Sequence, residues 1–213
     1  MKKIIAALLL LAASSAFAAE PPTKWYGGIG FGSNSNNSTK DATQDWQDFI
    51  HAVCGAPGCT SSGSADTSVT AVNLFAGYRF NDQLAVEGGY TNLGKFQGST
   101  TTTGGGLSQA SSLSLTGSAL SVSVVGFLPV TADKQGALIG KIGLARWKSD
   151  ANLSSSGALG PISASDSQSG TDPVIGMGYE HRFGGFGVRA LYERYKADDE
   201  AVKRMSLSLV GYF

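Results

Sequence analysis

Only two cysteines and two histidines occur among the 213 residues, and charged side chains make up just 15% of them. So few His and Cys leave little from which to build a metal centre, which draws three or four such donors together at set spacing. No Gly-x-Ser-x-Gly turn is present to mount a nucleophile. Basic and acidic residues balance at 16 each, so net charge gives no pointer to nucleic acid. Long apolar runs are also missing beyond the N-terminus. A chain crossing a membrane as helices, each needing about 20 apolar residues, is therefore excluded.

The one apolar run belongs to targeting. Lys2 and Lys3 precede Ile4–Ala13, and Ala16-Phe17-Ala18 supplies a small-x-small cleavage pattern, so residues 1–18 read as a signal peptide cut before Ala19. No Cys stands at the cut to make a lipoprotein. Residues 19–213 then form one exported domain, with two more acids than bases once Lys2 and Lys3 are gone. Export to an oxidising compartment predicts a disulfide between Cys54 and Cys59, across the turn-forming Gly55-Ala56-Pro57-Gly58. His51 alone beside them does not complete a metal site. No cofactor is expected.

Glycine, serine and threonine are abundant, which leaves two all-β classes: a secreted sandwich and a membrane barrel. Period-two alternation describes the strands. In Val72–Phe80, one face carries Val72, Leu74, Ala76, Tyr78 and Phe80, and the other Asn73, Phe75, Gly77 and Arg79. The same opposition of an apolar face to a small or polar one recurs in seven more segments, beginning near Trp25, Leu84, Leu120, Leu138, Val174, Phe186 and Met205. Each is about ten residues long, the length of a tilted strand crossing a bilayer.

The connections decide between the two classes. Asn81-Asp82-Gln83, the residues around Asp133, and Gly184-Gly185 are short; Ser33–Ser68, Gln97–Leu115, Ser149–Thr171 and Ala197–Arg204 are long. Short and long links in strict alternation predict an eight-stranded antiparallel up-and-down transmembrane β-barrel, with short periplasmic turns, long extracellular loops and periplasmic termini. Trp25, Tyr78, Phe80, Phe127, Phe183, Phe186, Tyr212 and Phe213 all lie beside the short turns or termini, as an interfacial aromatic girdle does.

Three segments carry a family likeness: Lys24-Trp25-Tyr26-Gly27-Gly28, Leu84–Gly94, and Leu207-Ser208-Leu209-Val210-Gly211-Tyr212-Phe213. Together they resemble the N-terminal eight-stranded barrel of the outer membrane protein A family. The resemblance implies a bacterial outer-membrane location, and the terminal Phe213 resembles the signal read by the barrel-assembly machinery. Family members with a further peptidoglycan-binding domain would anchor the cell wall; this chain stops at the barrel, so that role is not carried over. Outer-membrane lipid and lipopolysaccharide are the implied surroundings, and a monomer the implied state.

Seven charges fall on the inward faces: Arg79, Glu87, Lys141, Glu180, Arg182, Arg189 and Glu193. A barrel of eight strands is just wide enough for its own side chains, so these must pair. The resemblance implies a plug of lumen salt bridges: Glu87, Glu180 and Arg189 match the family's pattern, and Lys141 stands where it often has Arg. Val125 occupies a place where it commonly has Lys. The expected pairs are Glu87 with Arg189 and Glu180 with Lys141.

Neither histidine suits catalysis. His181 falls on the lipid-facing register near the periplasmic end, and His51 lies in the first long loop. No enzyme activity is expected, and the glycine-rich Thr101–Gly106 run does not join a strand to a helix as a phosphate loop would. In that first loop Trp46, Phe49 and Ile50 have helix-like spacing, which predicts a short amphipathic turn. It either packs on the rim or contacts a host or envelope protein. The second and third long loops are expected to be flexible. Two functions remain: a structural and surface-interaction protein serving envelope integrity, adhesion or resistance to host defences, or a low-conductance pore or small-ligand transport barrel.

Overall fold

The computed structural model of the chain describes residues 24–35, 38–54, 59–104, 106–197 and 200–213, excepting the side chains of 38, 39, 54, 197 and 200. The predicted signal peptide and its cleavage point lie outside the described residues. In chain order the elements are β1 (Trp25–Ser35), α1 (Ser38–Cys54), β2 (Thr60–Ala65), β3 (Ser68–Arg79), β4 (Leu84–Gly104), β5 (Leu107–Pro129), β6 (Gly136–Gly157), β7 (Ile162–Phe183), β8 (Phe186–Ala197) and β9 (Glu200–Tyr212). No described helix is long and apolar enough to cross a membrane.

Eight of the nine strands close into a ring in the order β4-β3-β1-β9-β8-β7-β6-β5, sealed by β4 against β5; β2 adds to the outer half of β4. All pairings are antiparallel. One row of partners runs Ser35, Lys203, Arg194, Ile175, Ile142, Val124, Val86, Tyr78 and Trp25, returning to β1 from position 35 to 25, a shear of ten. Such a stagger fixes strand tilt near 40° and leaves a lumen that side chains fill. Near the short turns, Trp25 and Phe213 exchange backbone hydrogen bonds at 3.1 and 2.9 Å, tying the first and last strands.

The alternation read along the eight segments is the observed one, from Trp25 out and Tyr26 in to Phe213 out and Tyr212 in. Leu120, Val122, Leu144, Met177, Met205 and Leu207 stand exposed on the outer surface, which is the apolar belt that lipid requires. Trp25, Phe80, Phe183, Phe186 and Phe213 lie outward near the short turns, as a girdle should. Phe127 and Tyr212 do not belong to it. Both are buried in the lumen with Tyr26, Phe75 and Val125, because they share the inward parity of their own strands.

The long links differ more. In place of flexible loops, residues 97–104, 107–115, 149–157 and 162–171 are strand: β4 to β7 run 21 to 23 residues, against 11 to 13 for β1, β3, β8 and β9. Their Ser and Thr hydroxyls bond across strands, as in Ser61–Thr102 (2.7 Å), Ser111–Ser155 (2.5 Å) and Gln109 donating to Ser155 (2.8 Å). Cross-strand pairs of this kind stabilise a sheet whose apolar residues are too scattered to mark a face. β4 leaves β3 after Asn92 and β7 leaves β8 beyond Val174. Strands β2 and β4–β7 thus continue as a wall, which a dozen tilted residues raise roughly 30 Å above the ring.

The first link, residues 33–68, holds the 17-residue α1 and then β2, where a short turn was expected. Thr43, Trp46 and Ile50 form the stripe by which α1 lies on the wall, with Ile50 and Thr43 buried. Asp41 in the first turn suits the helix dipole. In place of the long loop expected over Ala197–Arg204, β8 and β9 pair out to Ala197 and Glu200, so Arg204 is in strand β9.

The wall begins at a β-bulge. The β4–β5 register slips between Asn92 and Gly94, with Gly94 at φ 86° and its N–H donating to Asn92 Oδ1 at 2.9 Å. A Cβ there would overlap the Val69 side chain. Gly94→Ala is expected to cost about 1–3 kcal/mol, the range for a non-glycine residue held in that conformation. Gly140, which has open space around its would-be Cβ, is the control. Urea unfolding in lipid vesicles, followed by the gel shift of the folded barrel, measures both; equal midpoints for the two variants would disprove the requirement.

Candidate functional site

Seven ionised side chains cross the lumen as one chain of alternating sign. Arg79 Nη2 lies 2.7 Å from Glu180 Oε1. Arg189 bridges two carboxylates, with Nε donating to Glu180 Oε2 at 2.9 Å and Nη1 to Glu87 Oε2 at 2.6 Å. Lys141 Nζ sits 2.9 Å from Glu87 Oε1 and 2.9 Å from Glu193 Oε1. Arg204 Nη1 closes the series, 3.2 Å from Glu193 Oε2 and 3.1 Å from the Thr91 hydroxyl. Every member is buried, and six of the eight ring strands contribute.

A seventh strand joins through Tyr26 of β1, whose hydroxyl donates to Glu87 Oε2 at 3.1 Å. That ring reaches across because Gly77 faces it; a Cβ at 77 would overlap the Tyr26 phenol. Aromatic faces cover the cations, with Phe127 3.8 Å from the Arg79 guanidinium and Phe75 4.7 Å from that of Arg189. Arg182 lies over Tyr212 at 4.0 Å near the short-turn end. Leu93, Ala119, Ala145, Val174, Tyr195 and Val202 pack together at the other end.

Glu87 and Arg189 stand together, but Glu180 does not pair with Lys141. Register explains the exchange. Glu180 is directly opposite Arg189, while its neighbour on β6 is Ala137, four residues from Lys141. Lys141 shares a row with Gly176 and Glu193, and the missing side chain at Gly176 opens the way between them. Arg79 and Glu193, inward by parity alone, find their partners in Glu180 and in Lys141 and Arg204. Arg204, at the end of the expected last loop and outside the expected inward set, shares parity with Ser206 and Ser208 and joins the chain. Support is unequal along the chain: among the described residues, Nε of Arg79 and Nε and Nη2 of Arg204, at its two ends, are buried without a hydrogen-bond partner, whereas the interior Arg189 is held by both Glu87 and Glu180.

The helix presents only part of what was expected. Ile50 is 1% exposed and anchors α1, so it is not available to a partner. Trp46 is half-buried with its ring 5.4 Å from that of Phe49. Phe49 and Val53 remain exposed. Between the helix and the wall is a cavity of about 170 Å³ whose lining includes Ala42, Thr43, Trp46, Leu113 and Leu153. Cys59 is disulfide-bonded, and Cys54 is the only other cysteine. His51 Nε2 donates to the Cys59 carbonyl at 3.2 Å, tying the end of α1 to the start of β2. His181 shares a 3.2 Å hydrogen bond with the Tyr179 hydroxyl on the lipid-facing side and packs on Phe183. No group of His, Cys, Asp and Glu among the described residues could hold a metal ion.

A family model described as outer membrane protein beta-barrel domain matches residues 4–212. Among solved structures, the N-terminal β-barrel domain of Pseudomonas aeruginosa OprF is similar, with 12% identity, TM-score 0.49 and coverage of 90% of this chain and 98% of that one. Ail, the attachment invasion locus protein of Yersinia pestis, solved with the heparin analogue sucrose octasulfate, has 18% identity, TM-score 0.45 and coverage of 89% and 98%. Neisserial surface protein A has 12% identity, TM-score 0.43 and coverage of 89% and 97%. A comparison with curated protein sequences finds no match.

Removing one partner of a buried ion pair strands the other, at a cost of about 3–5 kcal/mol. Arg189→Met is therefore expected to lower the unfolding free energy by that amount, and Arg204→Met by clearly less. Equilibrium urea unfolding in vesicles measures both. A cost for Arg204→Met equal to or above that for Arg189→Met would show that the chain is not centred on Arg189.

Proposed function

The chain belongs to the outer membrane protein beta-barrel domain family, a β-barrel of the bacterial outer membrane, and from that premise we propose that it is a structural and surface-display protein. Its barrel is sealed by its own side chains and carries a rigid extracellular platform of wall and helix. The observation that carries this reading is the alternating ion chain. Seven buried charges, braced by Tyr26 and by aromatic faces, occupy the cross-section that a solute would need. Opening a path would separate ions in a medium of low dielectric, which costs several kcal/mol per ion.

The platform supports the display half of the proposal. A wall of paired strands holds α1 in one place, and Phe49 and Val53 project from it as an apolar pair at helical spacing. Exposed aromatics on a rigid support are efficient anchors for a protein partner, whether of the host or of the envelope. No step of this reading uses catalysis.

Binding of a small apolar ligand is a second reading, and the cavity beneath α1 favours it. That cavity lies on the wall and not in the lumen, so it supports capture at the surface more than transport.

Planar-bilayer recording tests the seal. The wild-type barrel is expected to give little steady current, and a Glu87→Ala/Arg189→Ala variant that remains folded is expected to conduct measurably more. Large, stable conductance from the wild type would overturn the sealed reading. For display, Phe49→Ser/Val53→Ser should abolish binding of cells bearing this protein to host cells or matrix while barrel stability is unchanged; undiminished binding would move the contact elsewhere.

A further inference from the structure

The outward face changes character at one level on several strands. On β8 it reads Val188, Ala190, Tyr192 and then Arg194, Lys196; on β6, Leu138, Gly140, Ile142, Leu144 and then Arg146, Lys148. On β9, running the other way, Lys203 precedes Met205, Leu207 and Leu209. All five cations are exposed. With strands tilted near 40°, each residue rises about 2.4 Å along the barrel axis. On that measure Arg146, Arg194, Lys196 and Lys203 fall within roughly 5 Å of one level. That level is the upper margin of an apolar band about 25 Å tall.

These cations form a patch and not a ring. β6 to β9 are consecutive in the sheet, and the outward residues of β7 at this height, Pro173 and Thr171, are uncharged. On the far side, β1 and β3 present Ser33 and Ser68, bonded to each other at 2.6 Å. Arg194 and Lys203 are direct cross-strand partners, and like charges so placed repel. Among the described residues none of Arg146, Arg194, Lys196 and Lys203 makes an ion pair; the only outward pair nearby is Lys148 with Asp150, at 3.1 Å. The side chains of Asp198, Asp199 and Glu200 lie outside the described residues; in the sequence they stand four or more residues from Arg194, two or more from Lys196 and three or more from Lys203.

Two guanidinium groups and two ammonium groups at the edge of an apolar surface match one class of anion: phosphate attached to acyl chains. Arginine meets phosphate with two parallel hydrogen bonds, and lysine adds a point charge. The acyl chains would lie along Leu144, Ile175 and Met205 below. Short turns mark the periplasmic end, so the patch faces the outer leaflet. We propose that the outward face of β6–β9 at this level is a binding site for the phosphate groups of outer-leaflet lipopolysaccharide, centred on Arg194 and Lys203 with Arg146 and Lys196 beside them. It rests on the outer-membrane assignment and is independent of whether the lumen is sealed.

Native mass spectrometry of the purified full-length barrel tests the site, with bis-phosphorylated lipid A and its dephosphorylated form as probes. The wild type is expected to prefer the phosphorylated lipid by roughly tenfold, about one good charge-assisted contact. Arg194→Gln/Lys203→Gln should erase the preference, while Lys95→Gln, outward on β4, and Lys134→Gln, in a short turn, should keep it. All these side chains are on the surface, and an unchanged gel shift verifies folding. Equal retention of both lipids by the wild type, or a preference that survives the double variant, would overturn the proposal. So would equal losses from the two control variants, which would reduce the effect to net charge. Millimolar inorganic phosphate is expected not to displace the lipid; displacement would show a site for the free ion instead.

Discussion

Charge inside a space too narrow for bulk water is the constraint from which the rest of this barrel follows. An eight-stranded ring with a shear of ten leaves a lumen about one layer of side chains wide. Any ion there must find its counter-ion within the protein, because the alternative is a bare charge at low dielectric. Alternation of sign along Arg79, Glu180, Arg189, Glu87, Lys141, Glu193 and Arg204 is the arrangement in which every member has an opposite neighbour. Space for these long side chains comes from small residues facing them. Gly176 lets Lys141 and Glu193 meet, and Gly77 admits the Tyr26 ring that braces Glu87. The abundance of glycine is thus partly a consequence of the ion chain.

How much of this could be read beforehand depended on whether the deciding quantity was local. Parity along a strand is local, so the inward set Glu87, Lys141, Glu180 and Arg189 was legible, as were the lipid-facing residues. Parity alone also places Phe127 and Tyr212 inside; nearness to a turn outweighed it and assigned them to the girdle. Partner choice is not local. That Lys141 meets Glu193 and not Glu180 follows from the stagger between β6, β7 and β8, a property of the closed ring that no single strand carries. Arg204 is not legible locally either, because the charged, polar stretch from Ala197 to Arg204 has no apolar face to mark it as strand.

The wall was illegible for a different reason. Period two is visible only when two faces differ consistently, and in the upper halves of β4 to β7 Ser, Thr, Gly and Asn fill both faces between scattered apolar residues such as Phe96, Leu113 and Leu153. Runs such as Ser154-Ser155-Ser156 look like linker in isolation. Paired with a neighbour, their hydroxyls and backbone amides are satisfied, and sheet already formed in the membrane supplies the template for extension. The bulge at Asn92–Gly94 shifts the parity of β4 just as the strand leaves the belt. Phe96 and Thr100 therefore face inward beyond it, where Glu87 and Thr91 did before.

The inner and outer cations obey one rule with opposite outcomes. In the lumen, Arg189 is enclosed by the protein, so its counter-ions are residues of the same chain. At the outer margin of the belt, Arg194 has Ile175 on one side and Lys203 on the other, and no described carboxylate pairs with it. An Arg beside a Lys is not a stable arrangement in isolation, and a protein selected only for its own stability would gain by changing one of them. Retaining both makes physical sense when the neutralising charge belongs to the solvent, and for this surface the solvent is lipid. Overall charge balance conceals this, since it averages a paired interior, acidic residues on α1 and a one-sided cationic margin into a figure near zero.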